Sequence, residues 1–134
     1  MPRLDWEIYE MIERNPFFKH IGFELVNSSE EEILLKLSIK TDLLNTNKTL
    51  HGGVHASMLD TVQSIALRSL YQCPVTAMNL DVHYFAPANT GHLFARAKLL
   101  QKGYKMAVLE AEIIDENTTL IAKGTGTYKI VRNA

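Results

Sequence analysis

Apolar positions recur at helical spacing in the first half of the chain and at strand spacing through the second. Leu4, Ile8, Met11 and Ile12 fall three and four residues apart within RLDWEIYEMIER, which predicts a helix over residues 3–14 that Asn15-Pro16 ends. IGFELV and EILLKLSIK read as two strands joined by the polar turn NSSEE. A loop rich in Asn, Thr and Lys runs from Leu43 to Leu50, and Gly52-Gly53 opens the longest helix, expected over 52–71. After Pro74 come VTAMNLDVHYF, LFARAKLLQ, YKMAVLEAEII and TLIAKGTGTYKIV, separated by turns at 87–91, 102–103 and 115–117. Strands and helices that do not alternate argue for an α+β fold with an antiparallel sheet.

The long helix has an unusual distribution of residues. At 100° per residue, His55, Met58, Leu59, Ile65, Ala66 and Ser69 fall within about 60° of Val62, an apolar stripe suited to a sheet. The opposite side carries Gly53, Ala56, Ser57, Asp60, Ser64, Leu67 and Tyr71, which are small or mild rather than charged. A helix without a charged face is buried on both sides. One sheet in a chain this short covers one side, so the other side is expected to meet a second copy of the protein. Asp60, about 160° from the stripe, would point at that junction. From Val54 to Tyr71 the only other charge is Arg68. A buried carboxylate is costly unless it is paired, neutral or used.

Small residues recur on one face of two strands: Ala95 with Ala97, and Ala122 with Gly124 and Gly126. They would let a helix approach a curled sheet closely; the plainer reading is that the glycines mark bulges.

Composition sets outer limits. The chain has 134 residues, 46% of them hydrophobic, enough for one domain with a core, and a formal net charge of -1 that gives no reason to expect nucleic acid. MPRLDWEIYEM lacks the apolar run of a signal peptide and no stretch reaches transmembrane length, so a cytoplasmic protein is expected. Cys73 is the only cysteine, which rules out an internal disulfide and a cysteine-rich metal site.

The segment LHGGVHASMLDTV resembles the signature of the hotdog-fold thioesterases, in the branch that includes the phenylacetate-pathway enzyme PaaI. Asn45 stands six residues before His51-Gly52-Gly53, and Asp60 nine after His51. VHYFAPANTG is similar to the family's aromatic-x-Pro-x-x-x-Gly strand end, and the resemblance spans roughly residues 20–131. It implies a hotdog fold over residues 1–134: an antiparallel sheet wrapped around the central helix, with an added N-terminal helix within 1–15. It also implies hydrolysis of an acyl-CoA or acyl-carrier thioester without metal or organic cofactor, by a homodimer or dimer of dimers whose sites lie between subunits. No membrane or nucleic-acid partner is expected.

The residue chemistry fits that implication. Gly52 at the helix start would offer an outward N–H as oxyanion donor. Asp60 would attack the carbonyl or activate water, and Asn45 would orient water or carbonyl. His51, Gly53, Met78 and Lys102 are the candidate substrate contacts, Met78 with Met58 and Met106 as an adaptable apolar wall and Lys102 for CoA phosphate; core packing and surface charge explain them equally.

Other constellations are weaker. His51 and His55 are four apart, but Gly52 replaces the glutamate of the zinc motif and Asp60 lies on neither face. His51 is expected to hold the loop backbone, and His55 to be a core or pocket-wall residue. Asn79, Asp81 and His83 share a strand face without a nucleophile elbow, and Cys73 before Pro74 reads as structural. Thr76 stands near the place where some relatives carry a water-holding hydroxyl. Two further readings stay open: a non-catalytic acyl-CoA-binding protein on the same fold, and a hydroxyacyl-thioester dehydratase, for which the histidines are misplaced.

Overall fold

A computed structural model describes residues 6–28 and 32–132. The chain begins with α1 (Trp6–Arg14) and α2 (Pro16–Ile21), followed by strands β1 (Phe23–Ser28) and β2 (Ile33–Ser38). A 3-10 turn at Thr41–Leu43 leads to the central helix α3 (Gly52–Tyr71). Four long strands complete the fold: β3 (Val75–Tyr84), β4 (His92–Lys102), β5 (Met106–Asp115) and β6 (Leu120–Ile130). All pairings are antiparallel, in the spatial order β1-β2-β4-β5-β6-β3. This is the expected α+β architecture, with the central helix at its expected bounds. Leu4 of the expected first helix, and most of the NSSEE turn, lie outside the described residues.

The first helix stops ahead of Asn15-Pro16 as expected, and Pro16 then begins a second helix that the sequence reading did not foresee. Asn15 is extended and its Oδ1 accepts the Phe18 N–H at 3.0 Å, while Pro16 occupies the first turn, where its missing N–H costs nothing. Gly22, at φ 97°, closes α2 in the left-handed region, so β1 starts at Phe23 rather than Ile21. Ile12, Phe18 and Ile21 then pack into the main core.

How close α3 lies to the sheet is decided by small residues. Across the sheet, Ala97 pairs with Ala111 and Ala111 with Gly124; Gly126 stands between Leu109 and Leu80. A Cβ built on Gly124 would come within 3.1 Å of Leu59 Cδ1, and one on Gly126 within 2.6 Å of both Gln63 Oε1 and Tyr128 Cε1. Both glycines sit in regular register, while the bulges fall elsewhere, at Ala77/Asn79 and Leu99/Gln101 among others. The glycines therefore serve close approach rather than bulging.

The curled sheet covers more of α3 than one side. Leu67, expected on the outward face with Asp60, is fully buried in a second cluster with Ala66, Leu109 and Tyr128. The angular reading assumed a flat sheet, and β6 wraps far enough to reach the flank of the helix. The rest of that face (Gly53, Ala56, Ser57, Asp60, Ser64 and Tyr71) keeps some solvent exposure, and α1 and α2 lean over part of it.

Gly126→Ala should therefore lose about 1–3 kcal/mol of stability through overpacking against Gln63 and the Tyr128 ring. Urea unfolding checks this; an unchanged midpoint would show that the helix does not need that approach.

Candidate active site

The entry to α3 is built by His51 and the loop before it. His51 is extended and caps the helix: its Nδ1 accepts the Gly53 N–H at 2.8 Å, and its carbonyl accepts the N–H groups of Val54 and His55. Of the first four N–H groups, which have no partner inside a helix, three are thus occupied. The Gly52 N–H has no partner among the described residues. The helix dipole adds positive potential at the same point. Tyr84 fixes the other side of the residue by donating its hydroxyl to the Gly52 carbonyl at 2.8 Å. Gly53, by contrast, has its N–H committed to His51.

Asn45 lies beside this turn with its acceptor already used. Its Oδ1 receives the N–H of Asn47 at 2.8 Å and of Thr49 at 3.2 Å, and its Nδ2 donates one hydrogen to Thr49 Oγ1 at 3.0 Å. The second Nδ2 hydrogen remains to be donated. Asn45, Gly52, Gly53 and Tyr84 line one open hollow of ≈ 490 Å³.

Asp60 opens into a different hollow, of ≈ 220 Å³, between α3 and the α1–α2 pair. Its Oδ1 accepts the Tyr128 hydroxyl at 2.6 Å, with the Ser64 hydroxyl at 3.5 Å. Tyr128 is fully buried, and burial first, then the bond and charge of Asp60, push its phenol far above the ordinary range. The phenol stays protonated, and its hydroxyl holds Oδ1 of the Asp60 side chain. Sequence reasoning missed Tyr128, 68 residues away. The signal was there, since it continues the inward alternation of Ala122, Gly124 and Gly126 by two residues.

Gly52 and Asp60 are therefore not brought together in one chain. Eight residues of helix separate them by about 12 Å along the axis, and they face different hollows. Met78 is the extra residue of the β3 bulge and stands exposed on the sheet's edge. Lys102 ends β4, with its Nζ 5.8 Å from the centre of the Tyr71 ring.

Three further histidines lie outside this pair of hollows or at their walls. His55 is buried, with Nδ1–H donating to the His51 carbonyl at 3.2 Å and its ring edge-on to Tyr84. Its Nε2 is buried without a partner. Asn79, Asp81 and His83 are exposed along β3. Ser38, His92 and Glu116 form an unforeseen line, with Ser38 Oγ 2.9 Å from His92 Nδ1. The Ile39 N–H beside that hydroxyl is committed to the Gly91 carbonyl and so is not open to an oxyanion. Among the described residues no cluster of His, Cys, Asp and Glu is disposed to hold a metal.

Comparison with known proteins bears on the family and the fold. The sequence model of the thioesterase superfamily matches residues 47–122, which include Gly52 and Asp60. Acyl-coenzyme A thioesterase 13 of Mus musculus is 27% identical over 120 residues, covering 82% of this chain and 86% of that protein. Among solved structures, E. coli PaaI, from the phenylacetic acid degradation operon, superposes with a TM-score of 0.87 at 21% identity, over 96% of this chain and 94% of that one. A Haemophilus influenzae thioesterase superposes with a TM-score of 0.88 at 20% identity, over 98% and 96%. At those identities the two structures establish the fold, which is the hotdog fold.

The buried imidazole has a measurable consequence. Burial holds the His55 pKa below its ordinary 6.5; the bond to the His51 carbonyl opposes this and the His51 charge adds to it. Between the two values the unfolded chain binds the extra proton, so stability rises with pH there. The His55 contribution should be complete above about pH 6.5 and lost as pH falls toward the folded pKa. Urea midpoints from pH 5 to 8 should show that slope, and His55→Leu should flatten it. Equal slopes would place the acid sensitivity elsewhere.

Proposed function

Because the chain belongs to the thioesterase superfamily, we propose that it hydrolyses an acyl-coenzyme A thioester at a site completed by two copies of the chain. The observation that carries this reading is the separation of parts. A thioester needs its carbonyl oxygen about 3 Å from a donor while a carboxylate or its water reaches the carbon. Gly52 and Asp60 of one helix, about 12 Å apart, cannot both do so. Two copies related by a two-fold axis, with their α3 helices side by side and antiparallel, would set each Asp60 against the other chain's Gly52. Two identical sites would result.

Two features of the surface support such a pairing. The outward face of α3 is small and carries no lysine or glutamate. At the sheet's edge, β3 pairs only with β6 and leaves ten residues with one free edge, which single chains normally avoid. Met78 and Phe85, both exposed at that margin, would be covered by the same contact.

In the site, the Gly52 N–H and the free Nδ2 hydrogen of Asn45 would bind the carbonyl oxygen and stabilise the oxyanion. Asp60 would then act in one of two ways, both needing this placement. As nucleophile, Oδ2 forms a bond to the acyl carbon, the C–S bond breaks, and the CoA thiolate leaves; water then hydrolyses the anhydride. As base, the carboxylate takes a proton from water as its oxygen attacks, and the thiolate leaves with the proton. Tyr128 positions the carboxylate in either case. His51 and Gly53 hold the donor turn. Lys102 and Arg132 sit against Tyr71 and Tyr104, Arg132 3.9 Å from the Tyr104 ring centre, a basic aromatic cluster suited to the phosphates and adenine of CoA.

Thiol release from a panel of acyl-CoA thioesters tests the reading. The wild type should cleave at least one member, and Asp60→Asn should lower that rate at least ~10²-fold with the fold unchanged by circular dichroism. Tight acyl-CoA binding with no thiol release would replace the hydrolase by a non-catalytic binder. Full activity in Asp60→Asn would remove Asp60 from the mechanism.

A further inference from the structure

The hollow at Asp60 has a composition of its own. Met11, Ile12, Phe17 and Phe18 from α1 and the α2 segment form one wall, and Ile65 of α3 faces them. Down the α3 side run Asp60, Ser64 and Arg68, four residues apart and so on one stripe of the helix. Arg68 is the only cation among the lining residues. It is partly buried, and among the described residues its guanidinium has no hydrogen-bond or ion-pair partner. Arg68 and Met11 also line the neighbouring hollow, where Glu7 is the acidic residue and stays beyond ion-pair distance of Arg68. An apolar-walled cavity thus has the reactive carboxylate at one point and an unsatisfied cation further along.

The dimensions select a ligand. At ≈ 220 Å³ the cavity holds about seven water volumes, the size of a short acyl group. Asp60 and Arg68 are eight residues apart, about 12 Å along the axis, and a long helical side chain leans back about one turn toward the N-terminus. That leaves roughly 6–7 Å between the carboxylate and the guanidinium. An extended chain advances ~1.2 Å per bond, so about five bonds bridge the gap. Resting on the thioesterase reading above, we propose that this cavity receives the acyl group and that Arg68 selects acyl groups ending in a carboxylate about five bonds from the thioester carbonyl. The substrate class is then the half-thioesters of short dicarboxylic acids. The apolar walls would carry the methylenes, and the guanidinium would take the far carboxylate as a two-pronged hydrogen-bonded pair. Like charge keeps that carboxylate away from Asp60.

Adipyl-CoA and hexanoyl-CoA have the same chain length and the same carrier, so their ratio isolates the terminal carboxylate. The wild type should favour adipyl-CoA in kcat/KM by about 10-fold to 100-fold, the range for a charge-assisted pair away from bulk water. Arg68→Met should bring the ratio to one or below, and Arg68→Lys should restore part of it. A wild type that prefers hexanoyl-CoA would overturn the proposal. So would an Arg68→Met variant that loses both thioesters by the same factor, because the guanidinium would then be holding the carrier's phosphates. Calorimetric binding of both thioesters to Asp60→Asn separates this inference from the reading beneath it. A binding preference for adipyl-CoA with no thiol release by the wild type would support the cavity and overturn the hydrolase. Thiol release without any preference would overturn the cavity and leave the hydrolase standing.

Discussion

The close seating of α3 on β6 is the constraint from which the rest of the structure follows. Where side chains would hold most helices away from a sheet, Gly124 and Gly126 leave only backbone beneath Leu59 and Gln63. Gln63, fully buried, donates one of its two amide hydrogens to the Leu59 carbonyl and fits into the space over Gly126. At that depth the next inward residue of β6, Tyr128, passes beside the helix, and its hydroxyl reaches Asp60 at 2.6 Å. A wider gap between helix and sheet would separate the carboxylate from the phenol that holds it. Packing and chemistry are in this way set by the same two glycines.

The helix N-terminus shows a comparable economy. A cap side chain ordinarily takes the N–H of the second or third helical residue and leaves that of the first open. Here His51 uses ring and carbonyl together on the three that follow Gly52, so one N–H alone points outward. Tyr84 holds that residue from the carbonyl side, its hydroxyl also lying where a Cβ on Gly52 would crowd it. The Gly52 N–H is thus held in place by the fold itself, the condition under which such a group would stabilise a developing negative charge. Eight residues of rigid helix then keep it away from the Asp60 of its own chain, which turns a secondary-structure length into an argument for two chains per site.

Much of this was legible in the sequence. The Gly-Gly start, the sparsely charged length of the helix and the alternation of four strands all lie within local windows, where periodicity is a direct signal. The motif spacing set Asn45, Gly52 and Asp60 apart before any coordinates. The helix over PFFKHI went unforeseen because six residues are too few for a period, and Pro16 signals a start as readily as a stop. Leu67 was misplaced because a helical wheel knows nothing of sheet curl. The partners of Asp60 were hidden for a different reason: Tyr128, Phe17 and Met11 converge on it from both ends of the chain, and only the folded topology brings them there.

The central claim, that each site takes its donor from one chain and its carboxylate from another, is open to direct test by mixing subunits. Gly52 is the first helical residue after an extended His51, a backbone position that proline tolerates, so Gly52→Pro deletes the free N–H and keeps the helix if the Tyr84 side chain gives way to the ring. Once Gly52→Pro and Asp60→Asn are each shown to be folded and inactive, the two are dissociated together and reassembled. Random pairing makes about half the dimers mixed, and each mixed dimer has one wholly wild-type site of two, so activity should return to about a quarter of wild type. If donor and carboxylate act within one chain, every site keeps a lesion. A mixture whose subunits demonstrably exchange and which stays as inactive as its parents would contradict the account.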